Sequence, residues 1–301
     1  MLFLSILYLH AKNTLLEYSK AKNALLIKKK DEDKKMTFKL HSTTIKALNN
    51  AGFKMYGSLI MVNNELFPIP MTGGNSKLGP VWNTGTAPGT GYYSVTDEET
   101  GETVGTMGTC PVDCKECYGK CGFYNMPSTK YSIIKKTELL RKYPEAYFSI
   151  IEIIIKYENV EKMRLHAVGD FIPGEARRYY DLFVKYPHVT VWTYTKHKIA
   201  GEIALLDSLP NVNIVKSIIP GCGFNYGHVA YIAAIFYKLL RAGKSVYICR
   251  CGIDENQHCF NCDGCTKHEY VLFIEHSTDY NAKKDYGFDR LKALIESELN
   301  K

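Results

Sequence analysis

Beyond residue 130 the apolar positions of the chain alternate between two periods. Ala176, Tyr179, Tyr180 and Phe183 recur at i, i+3, i+4 and i+7 and predict an amphipathic helix over 173–186. Val229, Ile232, Ala233, Phe236 and Leu240 form a second stripe and predict a helix over 228–243. Short apolar runs predict strands at 162–168, 189–195, 212–219, 245–250 and 270–276. Further helices are predicted over 130–143, 145–158, 199–208 and 284–300, with Pro144 suited to a first helical turn. Upstream, two apolar runs over 58–69 flank Asn63-Asn64 and predict a hairpin. Residues 71–110 are rich in Gly, Thr and Pro and read as loops, with a turn over Asp97–Glu102. Short strands alternating with helices imply a parallel sheet. Four or five such units are too few for an eight-unit barrel, so the expectation is an α/β domain built as a partial parallel (β/α) barrel.

Charge changes this picture little. The net charge of +7 is uneven: residues 1–35 hold eight Lys and four acids, a net of +4, which leaves +3 for the rest. A nucleic-acid domain usually concentrates Lys and Arg on one face and has a pI above about 9; here the pI is 8.7. Nucleic acid is therefore a weakly supported partner. No apolar run reaches the roughly 18–20 residues of a membrane helix, and mean hydropathy is −0.19, so membrane insertion is not expected. Residues 1–35 read as a basic extension outside the fold. Asp31-Glu32-Asp33 is compatible with a purine-rich ribosome-binding stretch just before Met36, and the expected working chain is a single domain over 36–301.

Ten cysteines in 301 residues change the picture more. A chain this long buries a core without disulfides, so metal ligation in a reducing compartment is the expectation. Ligands of parallel α/β folds bind at the carboxyl ends of strands. The segments there are Gly169-Asp170-Phe171, Lys196-His197, Pro220-Gly221-Cys222-Gly223 and the cysteine-rich stretch 249–265.

Cys110, Cys114 and Cys117 have the spacing C-x3-C-x2-C within a loop over 107–124, followed by Tyr118 and Cys121. Three thiolates hold three corners of a 4Fe–4S cluster and leave one iron open for S-adenosylmethionine. This spacing is that of radical S-adenosylmethionine enzymes, although Glu116 stands where an aromatic residue is usual and Tyr118 follows instead. Zinc held by Cys110, Cys114, Cys117 and Cys121, or a redox dithiol, are the competing readings. Gly169 and Asp170 are the candidates to receive the cofactor's ammonium group, Lys196 its carboxylate or ribose, and Tyr118 is a further cofactor-binding candidate. The plainer readings make Asp170 a helix cap and Lys196 a solvated strand-end lysine. Thr193 and Thr195 are further ribose or carboxylate candidates. His166, mid-strand, reads as a hydrogen-bonded core residue.

Cys251, Cys259, Cys262 and Cys265 form a second ligand set, a cysteine-rich metal-binding insertion near the C-terminus for a second Fe–S cluster or Zn2+. His258 and His268 are possible substitutes, and Cys249 reads as a buried strand residue.

The segments Gly74-Asn75-Ser76-Lys77-Leu78-Gly79-Pro80, Thr109-Cys110-Pro111 to Cys117-Tyr118, Arg164-Leu165-His166 to Gly169-Asp170-Phe171 and Tyr194-Thr195-Lys196 occur in that order. With the second cysteine set they resemble the phage and mobile-element gene product 88 family, and their order is similar to that of radical S-adenosylmethionine-like phage proteins. The resemblance covers roughly residues 70–276. It implies a phage or prophage origin and a cytoplasmic place in a low-GC bacterial host. The expected function is a radical S-adenosylmethionine-like enzyme of unknown substrate, served by a reductant such as a flavodoxin or ferredoxin. The alternative is a non-enzymatic, metal-stabilised phage protein that binds nucleic acid or a host factor.

Overall fold

A computed structural model describes residues 39–75, 78–97, 100–114, 117–120, 122–217, 225–227, 229–249 and 258–274. The extension 1–35, the helix expected over 284–300, and Ser76, Lys77, Cys121, Cys222 and Cys251 lie outside the described residues.

The chain enters through helix α1 (Ser42–Asn50) and a three-stranded antiparallel meander, β1 (Met55–Tyr56), β2 (Leu59–Val62) and β3 (Glu65–Pro68). Asn63 and Asn64 turn β2 into β3 with φ of 47° and 64°, the left-handed values that Asn tolerates in a two-residue hairpin. The expected hairpin is thus present.

Residues 71–110 are not loops throughout. They contain β4 (Thr72–Asn75), β5 (Gly79–Asn83), β6 (Tyr92–Thr96) and β7 (Thr103–Met107). β6 and β7 pair antiparallel across the expected Asp97–Glu102 turn. Strand β5 pairs with a strand some eighty residues later, so its state is set by the sheet and not by its own Gly-rich sequence.

Two helices, α2 (Pro127–Lys142) and α3 (Pro144–Tyr157), meet at Tyr143, and each has proline in its first turn. Then come β8 (Lys162–Arg164), α4 (Glu175–Lys185), β9 (Thr190–Thr195), α5 (Gly201–Asp207) and β10 (Val212–Lys216). The main sheet has the order β10-β9-β8-β5-β4, parallel except for the β4 edge. The strand expected over 162–168 stops at Arg164, because His166 takes a φ of 49° that no strand accommodates.

The last described part holds β11 (Asn225–Gly227), α6 (Val229–Arg241), β12 (Val246–Cys249), a short 3-10 turn (Cys259–Asn261), α7 (Gly264–Lys267) and β13 (Tyr270–Ile274). Here β11, β13 and β12 form a second, all-parallel sheet. The Lys216 N–H bonds to the Glu269 carbonyl at 3.2 Å, joining β10 to the entry of β13. The described strands therefore make a mixed α/β architecture of several sheets and close no barrel.

Alternation along β9 explains its two-sided burial. Val191 faces the large core with Tyr147, Ile151, Ile154, Tyr179 and Phe183. Trp192 and Tyr194 face the other way and pack with Val81, Val215, Cys249 and Cys265. Full burial of each such side chain contributes about 1.5–3 kcal/mol. No helix among the described residues is long and apolar enough to cross a membrane.

Candidate functional site

The carboxyl ends of β8 and β9 and the loop after β7 converge through two layers of main-chain bonds. Thr84 N–H reaches the Arg164 carbonyl (3.1 Å), Ala167 N–H the Thr84 carbonyl (2.8 Å) and Thr86 N–H the Val168 carbonyl (2.9 Å). On the other side of that segment, Gly108 N–H bonds to Gly91 (2.8 Å), Thr109 N–H to Ala87 (2.9 Å) and Cys110 N–H to Gly89 (3.1 Å). The Thr109 hydroxyl donates to the Ala87 carbonyl (3.0 Å) and accepts the Asp170 N–H (2.9 Å). Gly169 has a φ of +83°, and a Cβ there would collide with the Thr86 hydroxyl, so this position requires glycine.

Asp170 is 2% exposed and works as a latch. Its Oδ1 accepts from the Thr195 hydroxyl (2.7 Å) and from Phe171 N–H (2.9 Å), and its Oδ2 from Lys196 N–H (2.9 Å). It does not cap a helix. Helix α4 begins only at Glu175, behind Gly174. Thr193 and Thr195 also turn inward, donating to the Leu165 carbonyl (3.1 Å) and to Asp170.

Lys196 is half-buried and is no solvated strand-end lysine. Burial opposes its charge, but a contact with the Cys114 thiol and the combined charge of Cys110, Cys114 and Cys117 outweigh it and raise its pKa. Burial pushes the Cys110 thiol up to about 11, against Lys196 and a Gly89 N–H that donates to its sulfur at 3.3 Å. Burial likewise raises Cys117, opposed by the Gly119 N–H, Lys196 and Lys120. The fold thus brings Cys110, Cys114, Cys117, Asp170 and Lys196 within electrostatic reach of one another, with Gly169 packed beside Thr86 and Thr109. Tyr118 opens a 3-10 turn (Tyr118–Lys120) directly after the third cysteine.

The second cysteine set lies against the Trp192–Tyr194 face of the main sheet. The Cys265 sulfur is 2.8 Å from the Tyr194 hydroxyl. Its thiol is pushed up to about 12 by burial and by the neighbouring Cys249 and Cys259, against Tyr194 and Arg164. The Arg164 guanidinium lies 5.2 Å over the Tyr194 ring. Cys262 accepts the Gly264 N–H and stands by the Tyr247 hydroxyl, both at 3.4 Å. Cys251 cannot be placed in this set, since it lies outside the described residues. Cys249, read from sequence as a plain strand residue, packs with Cys265 and Cys259. Its position as the last residue of a parallel strand was the available signal. The two histidines are engaged elsewhere: His268 Nδ1 lies 2.9 Å from the Ser245 hydroxyl, and His258 caps the Cys259–Asn261 turn.

Among the described residues, no three His, Cys, Asp or Glu side chains stand close enough to hold one metal ion. An open cleft of about 310 Å³ lies elsewhere, at the α2–α3 junction by Asn63, Lys142, Tyr143 and Glu145, and contains none of the thiols.

No curated protein and no solved structure matches the chain. The model of one family, gene product 88, matches residues 71–267, a span that holds the main sheet, the three-cysteine loop, the Asp170 turn and the second cysteine set. Since that span is well over half of the sequence, the chain belongs to the gene product 88 family.

Proposed function

We propose that the protein is an iron–sulfur protein whose Cys110, Cys114 and Cys117 hold a 4Fe–4S cluster, and that it acts as a radical S-adenosylmethionine-type enzyme. The observation that carries this reading is the sharing of one ammonium, Lys196, by all three thiols at the carboxyl end of a parallel strand. Lys196 and the Gly89 N–H offset the negative charge that three thiolates bring.

Such a cluster, with one iron open, supplies reductive cleavage of S-adenosylmethionine when both are bound. The chain's own residues do the positioning. Asp170 fixes the main chain of Lys196 by accepting its N–H at 2.9 Å. The Gly169–Asp170 turn would receive the cofactor's amino group, and Tyr118 follows the last ligand. In the same reading Cys259, Cys262 and Cys265, with Cys251, hold a second Fe–S cluster or Zn2+. The two sheets, joined at Lys216 and Glu269, are then an opened partial (β/α) barrel with its mouth at the first cysteine set. The electron donor is of the flavodoxin or ferredoxin class.

The test is anaerobic reconstitution with iron and sulfide, followed by assay for 5′-deoxyadenosine under a strong reductant. The expected result is about four irons and four sulfides at the first centre, and cofactor cleavage that is lost when Cys110, Cys114 and Cys117 are replaced by Ala. Zinc alone at both sets, with no deoxyadenosine, overturns the reading. It would favour the non-enzymatic, metal-stabilised protein that binds nucleic acid or a host factor.

A further inference from the structure

In space, the second cysteine set includes a thiol that its spacing does not point to. Cys259, Cys262 and Cys265 follow one another as C-x2-C-x2-C. The segment that carries them is fastened to three strands. Lys162 Nζ, at the start of β8, donates to the Phe260 carbonyl at 2.8 Å. Asn213 Nδ2 on β10 donates to the Cys265 and His268 carbonyls at 2.7 and 2.9 Å. On β12 the Tyr247 ring lies against Gly264, where a Cβ would stand 2.1 Å from it, and the Tyr247 hydroxyl is 3.4 Å from the Cys262 sulfur.

Cys249 comes two residues after Tyr247 and so shares its face of β12. It is 5% exposed and packs in one cluster with Tyr247, Cys259 and Cys265. Cys249 and Cys259 both act electrostatically on Cys265. All four cysteines are free thiols. Two hydrogen-bonding groups already face their sulfurs: the Gly264 N–H donates to Cys262 at 3.4 Å, and the Tyr194 hydroxyl lies 2.8 Å from Cys265. Hydrogen bonds to sulfur are how a protein steadies and tunes metal-bound thiolates.

The run C-x2-C-x2-C supplies three ligands of a 4Fe–4S cluster in bacterial ferredoxins, and the fourth comes from elsewhere in the chain. Each thiolate of such a cluster binds its own iron. Three of them need not meet at one ion, and among the described residues no three do.

We propose that Cys249 completes the second set, so that Cys249, Cys259, Cys262 and Cys265 are the four ligands of a 4Fe–4S cluster and Cys251 is not a ligand. The assignment rests on the second set being a metal centre, as read above, and is independent of what Cys110, Cys114 and Cys117 hold. A cluster with four protein ligands has no open iron, so its chemistry is electron transfer. One electron is taken from the reductant and later released, with no bond made or broken.

The test counts iron and acid-labile sulfide on the full chain after anaerobic reconstitution. Relative to wild type, Cys249→Ser is expected to lose about four irons and four sulfides, or to keep them with an altered EPR signal of the reduced cluster, since serine ligates through oxygen. Cys251→Ser is expected to match wild type in both. Cys110→Ser reports separately on the first centre, so a failure there leaves this result readable. Wild-type iron and EPR signal in Cys249→Ser, a loss confined to Cys251→Ser, or zinc in place of iron at this set overturns the assignment. Should Cys249→Ser not fold, the wild type decides. Its thiols are alkylated with the metal in place and after stripping by a chelator, and the sites are read by mass spectrometry. Cys249, Cys259, Cys262 and Cys265 are expected to become reactive together on stripping, while Cys251 reacts alike in both states. A Cys249 that does not follow the other three overturns the assignment.

Discussion

Lys136 and Lys196 are both drawn out of water, and their ammonium groups respond in opposite ways. Lys136 lies on α2 between Ile133 and Leu140 and is 7% exposed. Burial alone pushes its pKa down to about 8, and no charged partner among the described residues offsets this. Lys196 is also penalised by burial, yet three thiols raise it above the ordinary lysine value. The contrast separates two uses of one residue type. In the α2 interior the fold tolerates an amine by letting it lose its proton easily. At the strand-end mouth the fold surrounds the amine with sulfur, which favours the charged form of Lys196, while burial raises the Cys110 and Cys117 thiols.

The largest expected effect removes the sulfur side of this contrast. With Cys110, Cys114 and Cys117 all replaced by Ala, Lys196 keeps its burial and loses its partners. Its pKa is then expected to fall below the ordinary lysine value, in the direction Lys136 already shows. The combined cost to stability is about 3 kcal/mol, roughly 1 kcal/mol for each side chain removed. NMR titration of the Lys196 side chain and urea unfolding check both statements. A Lys196 that stays raised without the thiols would break the comparison.

The next effect has the opposite sign. The folded chain binds fewer protons at Lys136 than the unfolded chain between about pH 8 and pH 10.5. Wild-type stability therefore gains from this residue as pH rises through that window. At pH 7 the buried amine costs up to about 3 kcal/mol. Lys136→Met is expected to recover most of this at pH 7 and almost none near pH 10.5, as measured by urea unfolding at the two pH values. Equal stabilisation at both would assign the gain to packing alone.

The β/α rhythm from α2 to β13 was legible because these elements are buried by period: Tyr179 and Phe183 on a helical stripe, Val191 and Trp192 on opposite faces of one strand. Strands β4 to β7 were not, because residues such as Gly73, Gly79 and Gly105 carry no apolar alternation and pair only through distant partners. At the site, the cysteine spacing and the strand-end positions of Asp170 and Lys196 were visible in the sequence. The engagement of Asp170 was not, since a carboxylate before a helix reads equally well as a cap until the helix is seen to start at Glu175. The His166–Glu175 pair left no signal either. Nothing local tells a strand-end His that a carboxylate nine residues later will meet it in the core.

The smallest effect concerns the second cysteine set, where no lysine among the described residues plays the part of Lys196 toward Cys265. Cys265 is held up near 12 by burial and by Cys249 and Cys259, and what favours its thiolate is the Tyr194 hydroxyl and the Arg164 guanidinium. Tyr194 and Lys196 are two residues apart on one strand end, so β9 touches both sulfur groups with different chemistry: a neutral O–H on Cys265 and a full charge facing Cys114. Tyr194→Phe removes the neutral donor and keeps the ring over which Arg164 lies. The expected cost is about 0.5–1.5 kcal/mol, the net contribution of one hydrogen bond. Alkylation of Cys265 in the reduced, metal-free protein should also slow at any fixed alkaline pH, because the thiolate has lost a stabilising donor. The thiols of the first set should alkylate at an unchanged rate, since their charge balance rests on Lys196. If Tyr194→Phe slows both sets alike, the two groups share one electrostatic environment and the contrast between them fails.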